Sequence, residues 1–516
     1  MNIQYTVQVL QPVQKIPPVM PQIETVVFLM LENRSLDNVL GWLYNGKNNA
    51  PAVVYPAGSP AKFDGIVDDT NDYGGTTYRP GNGTAEYDDQ ACRVPFRDPH
   101  ETLSRVQQQF YASDDGTMPS GYCWSTTPPM TGFAYDASSI AHSESQQVMG
   151  AYNQDQLPVL YGLAQQYAVS DRWFASVPSQ TDPNRAFSVC GTSLGAEVNS
   201  DINSNTYAAS NTIFNVLGSN GKTWGLYWWQ SNRFLGAGEP ILYNIPFTSA
   251  YFSQIKNAPN GTINTYSNFL QVVKSGGKLP NFCFLEPYWG GGLGDDDDFF
   301  GIQGNDYHPP TWIGPAEYQL NELYNALVAC PQWSKMLFII TFDEGGGTYD
   351  HVPPTKCVSP DRHIGASGFK FDRLGIRVPT ILVSPYIQPG TVFRAPTASP
   401  QYDFDHTSSI ATLLKWAGVA PGSASLGDRV SVAPTFEGVL SDRVQQNIPP
   451  PTFTVPETYK QQGGGTGALN GGFTLNLTKD LDSHKLRLAL EASSTSEELV
   501  NRLESLHSRT KRSQSS

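Results

Sequence analysis

The chain is short of charge, of positive charge in particular, and of clustered cysteine. Charged residues make up 16% of 516 positions, and 33 Lys and Arg face 47 Asp and Glu, for a formal net charge of −14. A nucleic-acid binder needs a basic face to neutralise phosphates, so that class is set aside. Strong attraction to an anionic membrane is weakened too, leaving room only for a local basic patch. The six cysteines (92, 123, 190, 283, 330 and 357) are scattered with no CxxC pair. This spacing argues against a zinc site and predicts buried thiols or one or two disulfides. No apolar run reaches membrane-spanning length, so no transmembrane segment is expected. The first residues, MNIQYTVQVLQPVQKIPP, lack the basic and apolar regions of a secretory signal. Location stays open between the cell interior, export by another route, and a trimmed leader.

What is present reads as a large α/β domain with an accessory segment. Thr25 to Met30 and Met336 to Phe342 are continuous apolar runs without alternation, the pattern of strands in a parallel sheet covered on both faces. Val378 to Ser384 is a third candidate, with Pro379 near its start. Helical spacing is found over Asp155 to Ala168, Pro315 to Leu327 and Ser408 to Ala417. Strands alternating with helices predict an α/β sandwich with a central, mainly parallel sheet. The domain is expected to span residues 1–440. Residues 441–516 are expected to form a linker, marked by Pro449 to Pro451 and Gly463 to Gly465, and a small C-terminal segment. In it, Leu499, Val500, Leu503 and Leu506 lie at helical spacing behind a Thr495/Glu498 capping pair, ahead of Arg509, Lys511 and Arg512. A small packing helix is the simpler reading; transient contact with a membrane surface is the alternative.

Both central strands run straight into oxygen-bearing side chains, Glu32-Asn33 and Asp343-Glu344. Ligands of open α/β sheets bind beyond the carboxyl ends of strands, and two such pairs suit one hard cation. Thr181 stands two residues before Pro183. Its hydroxyl is either an ordinary helix N-cap or a group held in the positive field of a helix N-terminus, where phosphate binds. Asn184 and Arg185 add donors nearby. His100, His308 and His351 lie in proline- or glycine-punctuated loops beside carboxylates, a setting suited to binding phosphate or protonating an alkoxide. His406 reads only as a cap of the helix that follows it, and His142, His363, His484 and His507 have no such setting.

The segments ENRSLDNVLGW (32–42), DPH (98–100), SDRWFASVPSQTDPNRAF (170–187), EPYWGG and NDYHPP (286–310), TFDEGGGTYDHVPP (341–354), GIRVPTILVSPYI (375–387) and DHTSS (405–409) occur in collinear order. Together they resemble the bacterial phospholipase C and acid phosphatase family of phosphoesterases, to which plant non-specific phospholipases C are similar. The resemblance implies an alkaline phosphatase-like fold and one divalent metal ion held by Glu32, Asn33, Thr181, Asp343 and Glu344. It implies Thr181 as nucleophile, His308 and His351 as catalytic, and Asn184, His100, His308 and His351 as binding the substrate phosphate. An oxygen-only ligand set suits Ca, Mg or Mn better than Zn. Three departures bear on the pocket: Gly345 stands where many members have histidine, Arg97 where the DPH motif usually begins with histidine, and Asp182 where an aromatic is common.

The activity implied is hydrolysis of phosphate esters through a phosphothreonine, as a phospholipase C acting on glycerophospholipid. An acid phosphatase is the first alternative, and a non-catalytic phospholipid-binding effector on the same scaffold the second. Tyr288, Trp289 and Trp312 are either a cage for a choline-type headgroup or part of the core.

Overall fold

The computed structural model describes residues 13–459 except 46–49, 67, 83–93, 96, 120–125, 141–144, 204–205, 230–233, 236–238, 241–247, 249–250, 253–254, 256–257, 289–290, 294–299, 303, 397–401 and 446–449. Cys92, Cys123, His142, Trp289, Pro449, the 463–465 glycines, His484, His507 and the C-terminal helix with its basic end all lie outside the described residues.

The two continuous apolar runs form strands, β1 (Thr25–Leu31) and β7 (Met336–Phe342), in which every residue is buried. They pair in parallel at the centre of a nine-stranded sheet. The other strands are β2 (Val53–Tyr55), β3 (Ala168–Ser170), β4 (Trp224–Trp228), β5 (Ile263–Thr265), β6 (Phe282–Glu286), β8 (Thr380–Val383) and β9 (Thr391–Phe393). Their order is β5-β4-β6-β1-β7-β8-β3-β9-β2. The recorded pairings are parallel except those of β8, which runs against both β7 and β3. The third predicted strand is therefore present but shortened, with Pro379 just before it, and it is the reversed strand of a mainly parallel sheet. An apolar run reports burial on both faces and carries no mark of direction.

The helices that bear on the site are α1 (Leu36–Leu40), α2 (Leu103–Tyr111), α3 (Pro158–Gln166), α4 (Thr181–Cys190), α5 (Gly314–Ala329) and α6 (His406–Trp416). Helix α3 starts at Pro158 rather than Asp155, because proline fits the first helical position and needs no intrahelical partner for nitrogen. Helix α6 is capped by Asp405, whose carboxylate accepts from the Thr407 amide at 3.1 Å. His406 is thus the first helical residue and not the cap, a correction taken up below. Helices α3 and α5 pack on each other, as do α4 and α6.

Beyond residue 450 the chain packs back against the helical layer. The Tyr324 hydroxyl donates to the Pro451 carbonyl and that of Tyr459 to the Gln156 carbonyl, both at 2.9 Å. Trp312 is buried with its ring against Tyr459, and Tyr288 is buried as well, as the core alternative has it. Cys190, Cys283, Cys330 and Cys357 are free thiols. Among the described residues no helix is long and apolar enough to cross a membrane.

Candidate active site

The register of the central pair decides what meets beyond it. Leu31 lies beside Phe342, so Glu32-Asn33 and Asp343-Glu344 leave the sheet next to each other. Oδ1 of Asp343 accepts from the amides of Asn33 at 3.0 Å and Glu344 at 2.7 Å, tying the two turns together. Asn33 takes a left-handed conformation with φ 53. Gly346, at φ 58, backs onto it, and a Cβ there would lie 2.2 Å from the Asn33 carbonyl oxygen. Glycine is what permits that approach. Gly347 plays the same part for a third segment: a Cβ there would come within 2.6 Å of the His100 carbonyl oxygen.

Thr181 is brought to this junction by α4. It is the first helical residue; the N-cap is Gln180, whose side chain makes no cap bond. The N-cap reading of Thr181 is therefore not what the structure has. Its hydroxyl Oγ1 lies 3.3 Å from Asn33 Oδ1 and 3.4 Å from Glu32 Oε2. The loop before it is held by Asn184. That amide accepts from the Val177 amide at 3.0 Å and donates to the carbonyls of Val177, Ser179 and Gln180 at 2.9–3.1 Å. Asn184 is fully buried and spends its polar atoms on backbone. The substrate-binding role expected of it is corrected to one of positioning Thr181.

Arg185, one turn into α4, lies beneath the carboxylates rather than in the cleft. Its Nε donates to Glu32 Oε1 at 2.9 Å and is 3.3 Å from Asp343 Oδ2, and Nη2 also reaches Glu32 and the Met30 carbonyl. One guanidinium thus faces two buried carboxylates, Glu32 and Asp343, with a third, Glu344, next to Asp343 in the chain. Burial, followed by the charge of Asp343, pushes Glu32 well above the ordinary carboxylate range. Burial, then Glu101 and Asp343, does the same to Glu344. Glu344 Oε2 accepts from the Gly346 amide at 2.6 Å, whereas Oε1 is buried with no hydrogen-bond partner among the described residues. A buried carboxylate oxygen left without a donor, in a group with excess negative charge, is what a hard divalent cation would complete. The donor set fits such an ion.

The histidines divide. Nε2 of His308 lies 2.9 Å from Asn33 Nδ2, and its Nδ1 is against the Pro309 carbonyl at 2.5 Å. The carbonyl accepts only, so Nδ1 carries the proton and Nε2 accepts from the amide. Burial pulls this imidazole down to about 4. Asn33 Nδ2 also donates to Glu101, whose carboxylate forms, with Asp98 and His308, a group of ligand atoms within 4.8 Å of one another. His100 sits behind this group, with Nδ1 3.2 Å from Asp136.

His351 is in a different setting. Its Nδ1 donates to Asp37 at 2.7 Å, Nε2 is 3.4 Å from Asp64, and Arg377 bonds both Asp37 and Asp350. Burial opposes its charge, but the bonds to Asp37 and Asp64 outweigh that and hold it up to about 10. The structure joins His351 to those carboxylates. His406 is buried, with Nε2 2.6 Å from the Asp343 carbonyl oxygen, so it braces the Asp343 turn. Sequence reasoning missed Glu101, Asp37 and Asp64. Asp37 stands inside ENRSLDNVLGW and Glu101 directly after DPH, and Asp64 carried no signal.

Gly345 has a steric reason. A Cβ there would meet Ile376 Cδ1 at 2.1 Å and Cγ1 at 2.4 Å, so any side chain at 345 requires the end of Ile376 to move.

The profile of a family described as the phosphoesterase family matches residues 23–420. Among curated proteins the chain is similar to non-specific phospholipase C6 of Arabidopsis thaliana, 35% identical over 444 residues covering 84% of this chain and 75% of the relative. It is also similar to a hemolytic phospholipase C of Pseudomonas aeruginosa, 23% identical over 487 residues covering 85% and 60%. A solved protein in the alkaline phosphatase superfamily from Vibrio parahaemolyticus covers 54% of this chain and 64% of its own, at 13% identity and a TM-score of 0.31, too slight a likeness to argue from.

Proposed function

The chain belongs to the phosphoesterase family and is a phosphoric ester hydrolase, and from that premise we propose that it is a metal-assisted phospholipase C working through a phosphothreonine at Thr181. The observation that carries the reading is the Thr181 hydroxyl, at the N-terminus of a ten-residue helix and 3.3 Å from Asn33. Similarity to plant and bacterial phospholipases C supports a glycerophospholipid diester as substrate.

Thr181 Oγ1 forms the new bond to phosphorus as the bond to the glycerol oxygen breaks, releasing diacylglycerol. Charge on the non-bridging oxygens falls in the field of the α4 N-terminus. The threonine proton passes to the departing alkoxide, and His308, bonded through Nε2 to the Asn33 amide that also holds the Thr181 hydroxyl, positions that exchange. Water then cleaves the phosphothreonine and frees the phosphorylated headgroup. Glu32, Asn33, Thr181, Asp343 and Glu344 are the residues to hold the divalent ion, which when bound supplies Lewis-acid polarisation of the phosphate and a more acidic threonine hydroxyl. Calcium, magnesium and manganese suit these oxygens.

The test is Thr181→Ala against Thr181→Ser, assayed on phosphatidylcholine and on p-nitrophenyl phosphate, with rapid quench of labelled substrate. Loss of turnover in the alanine variant, retention in serine, and label on the peptide containing residue 181 are expected. An active alanine variant refutes the nucleophile; a strong preference for the monoester replaces the phospholipase with a phosphatase.

A further inference from the structure

Residues 356–373 form a closed hairpin that the chemistry above does not use. Its base is fastened by the Lys356–Arg373 bridge, the Cys357 amide on the Asp372 carbonyl at 3.0 Å, and the Ser359 hydroxyl on the Lys370 carbonyl at 2.8 Å. Phe369 and Phe371 turn inward and are buried against Leu103, Val177 and Phe187. Val177 and Phe187 flank Thr181 in sequence, and Leu103 follows the His100-Glu101 turn, so the hairpin is seated on the elements that build the site.

Its tip is fastened to the same place. The Glu197 carboxylate accepts from the Ser367 amide at 3.1 Å and from the Ser367 hydroxyl, while the Glu197 carbonyl accepts from Ser179, two residues before the nucleophile. Asp361 is bound by the Thr192 hydroxyl. The tip is therefore held rigidly, yet it presents Ile364 to solvent at 60% exposure. A single exposed apolar residue is ordinary on a protein surface. This one is bracketed by exposed Arg362, His363 and Lys370, with exposed Lys356 at the base. The hairpin exposes Lys356, Arg362 and Lys370 in a chain of net −14, while Arg373 is buried and donates to the Pro354 and Thr126 carbonyls. Asp361 is further occupied by His363 at 2.9 Å. An apolar tip ringed by cations is the combination that seats a protein at the interface of an anionic bilayer.

We propose that the 356–373 hairpin docks the protein on membranes containing anionic phospholipid, with Ile364 entering the interface and Arg362, Lys356 and Lys370 meeting the headgroup phosphates. This rests on the phospholipase reading and deepens it: the contact would bring the mouth of the site to its substrate surface. The rigid base means that little ordering is needed on docking.

The test is co-sedimentation of the full chain with phosphatidylcholine vesicles with and without phosphatidylserine, alongside turnover of water-soluble p-nitrophenyl phosphorylcholine. Wild type should bind the phosphatidylserine vesicles more strongly, less so as salt rises. Ile364→Asp should weaken binding about tenfold. The pair Arg362→Glu and Lys370→Glu should weaken it at least as much and remove the salt dependence. Soluble-substrate turnover should be unchanged in both, which also shows that the variants fold. Wild type that fails to bind, or Ile364→Asp that binds as wild type does, overturns the proposal. So does an Ile364→Asp effect confined to self-association in sedimentation equilibrium, which would make the tip a contact between copies. Absence of phosphorylcholine turnover in wild type counts against the phospholipase reading and leaves the binding readout to stand separately.

Discussion

Asn33 Nδ2 lies 2.9 Å from His308 Nε2, and the same amide turns its oxygen to the Thr181 hydroxyl at 3.3 Å. One side chain therefore orients a nucleophile on one side and an imidazole on the other. The carboxamide carries an acceptor and a donor on its two sides, which lets it face both ways.

Asn33→Asp tests that orientation. The substitution puts a carboxylate oxygen where Nδ2 now donates to Glu101, so two negative groups face each other and His308 loses its donor. We expect kcat to fall about a hundredfold, the usual consequence of losing one oriented donor at a reacting centre. Steady-state kinetics checks it. Unchanged kcat would mean that the amide does not orient the site.

Binding of a divalent ion should be visible without any assay of activity. A ligand that binds only the folded chain at about a hundred times its Kd adds about 2.7 kcal/mol. Calcium, magnesium or manganese should therefore raise Tm, and chelator should lower it. Glu344→Gln should remove most of the shift. No change in Tm with any of the three ions, measured by calorimetry, would refute the assignment of the carboxylates.

His351 carries a pH signature. Its folded value is raised to about 10 by Asp37 and Asp64, above the ordinary imidazole value. Because the folded state holds this proton more tightly, the stabilisation is fully present below about pH 6.5 and is lost as pH rises towards 10. His351→Gln should therefore cost up to about 3 kcal/mol at pH 6, allowing for the partial exposure of Asp64. The gap to wild type should narrow as pH approaches 10. Chemical denaturation across that range measures it, and a constant gap would contradict the ion-paired imidazole.

Gly345→Ala should destabilise by about 1–3 kcal/mol through overpacking against Ile376. Adding Ile376→Ala should recover most of that, because it removes the atoms in the way. If thermal melts of the double variant show the two costs simply adding, Ile376 is not what excludes a side chain at 345.

Legibility in the sequence was uneven, and for physical reasons. The strands at 25–31 and 336–342 are plain because continuous apolar residues report burial on both faces. The residues that follow them are plain as candidates because strand ends open onto clefts. Thr181 was readable only through its resemblance to a family; by itself it reads as a cap, and the structure gives the cap position to Gln180. Asn184 and His406 differ from expectation because a side chain's role depends on which backbone it meets. Local sequence records none of that.

The sequence by itself determined the α/β architecture, the apolar central strands, the acidic and amide residues at their ends and the scarcity of positive charge. These follow from residue chemistry and periodicity, which are local. Only the tertiary structure decided that Leu31 pairs with Phe342 and so brings Glu32 beside Asp343, that β8 runs backwards, and that Arg185 lies under the carboxylates. It also decided that the 356–373 hairpin is seated by Phe369 and Phe371 against Leu103, Val177 and Phe187 while Ile364 is left in solvent. Register, strand direction and the pairing of buried charges are set by contacts between residues hundreds of positions apart, and such contacts exist only once the chain has closed on itself.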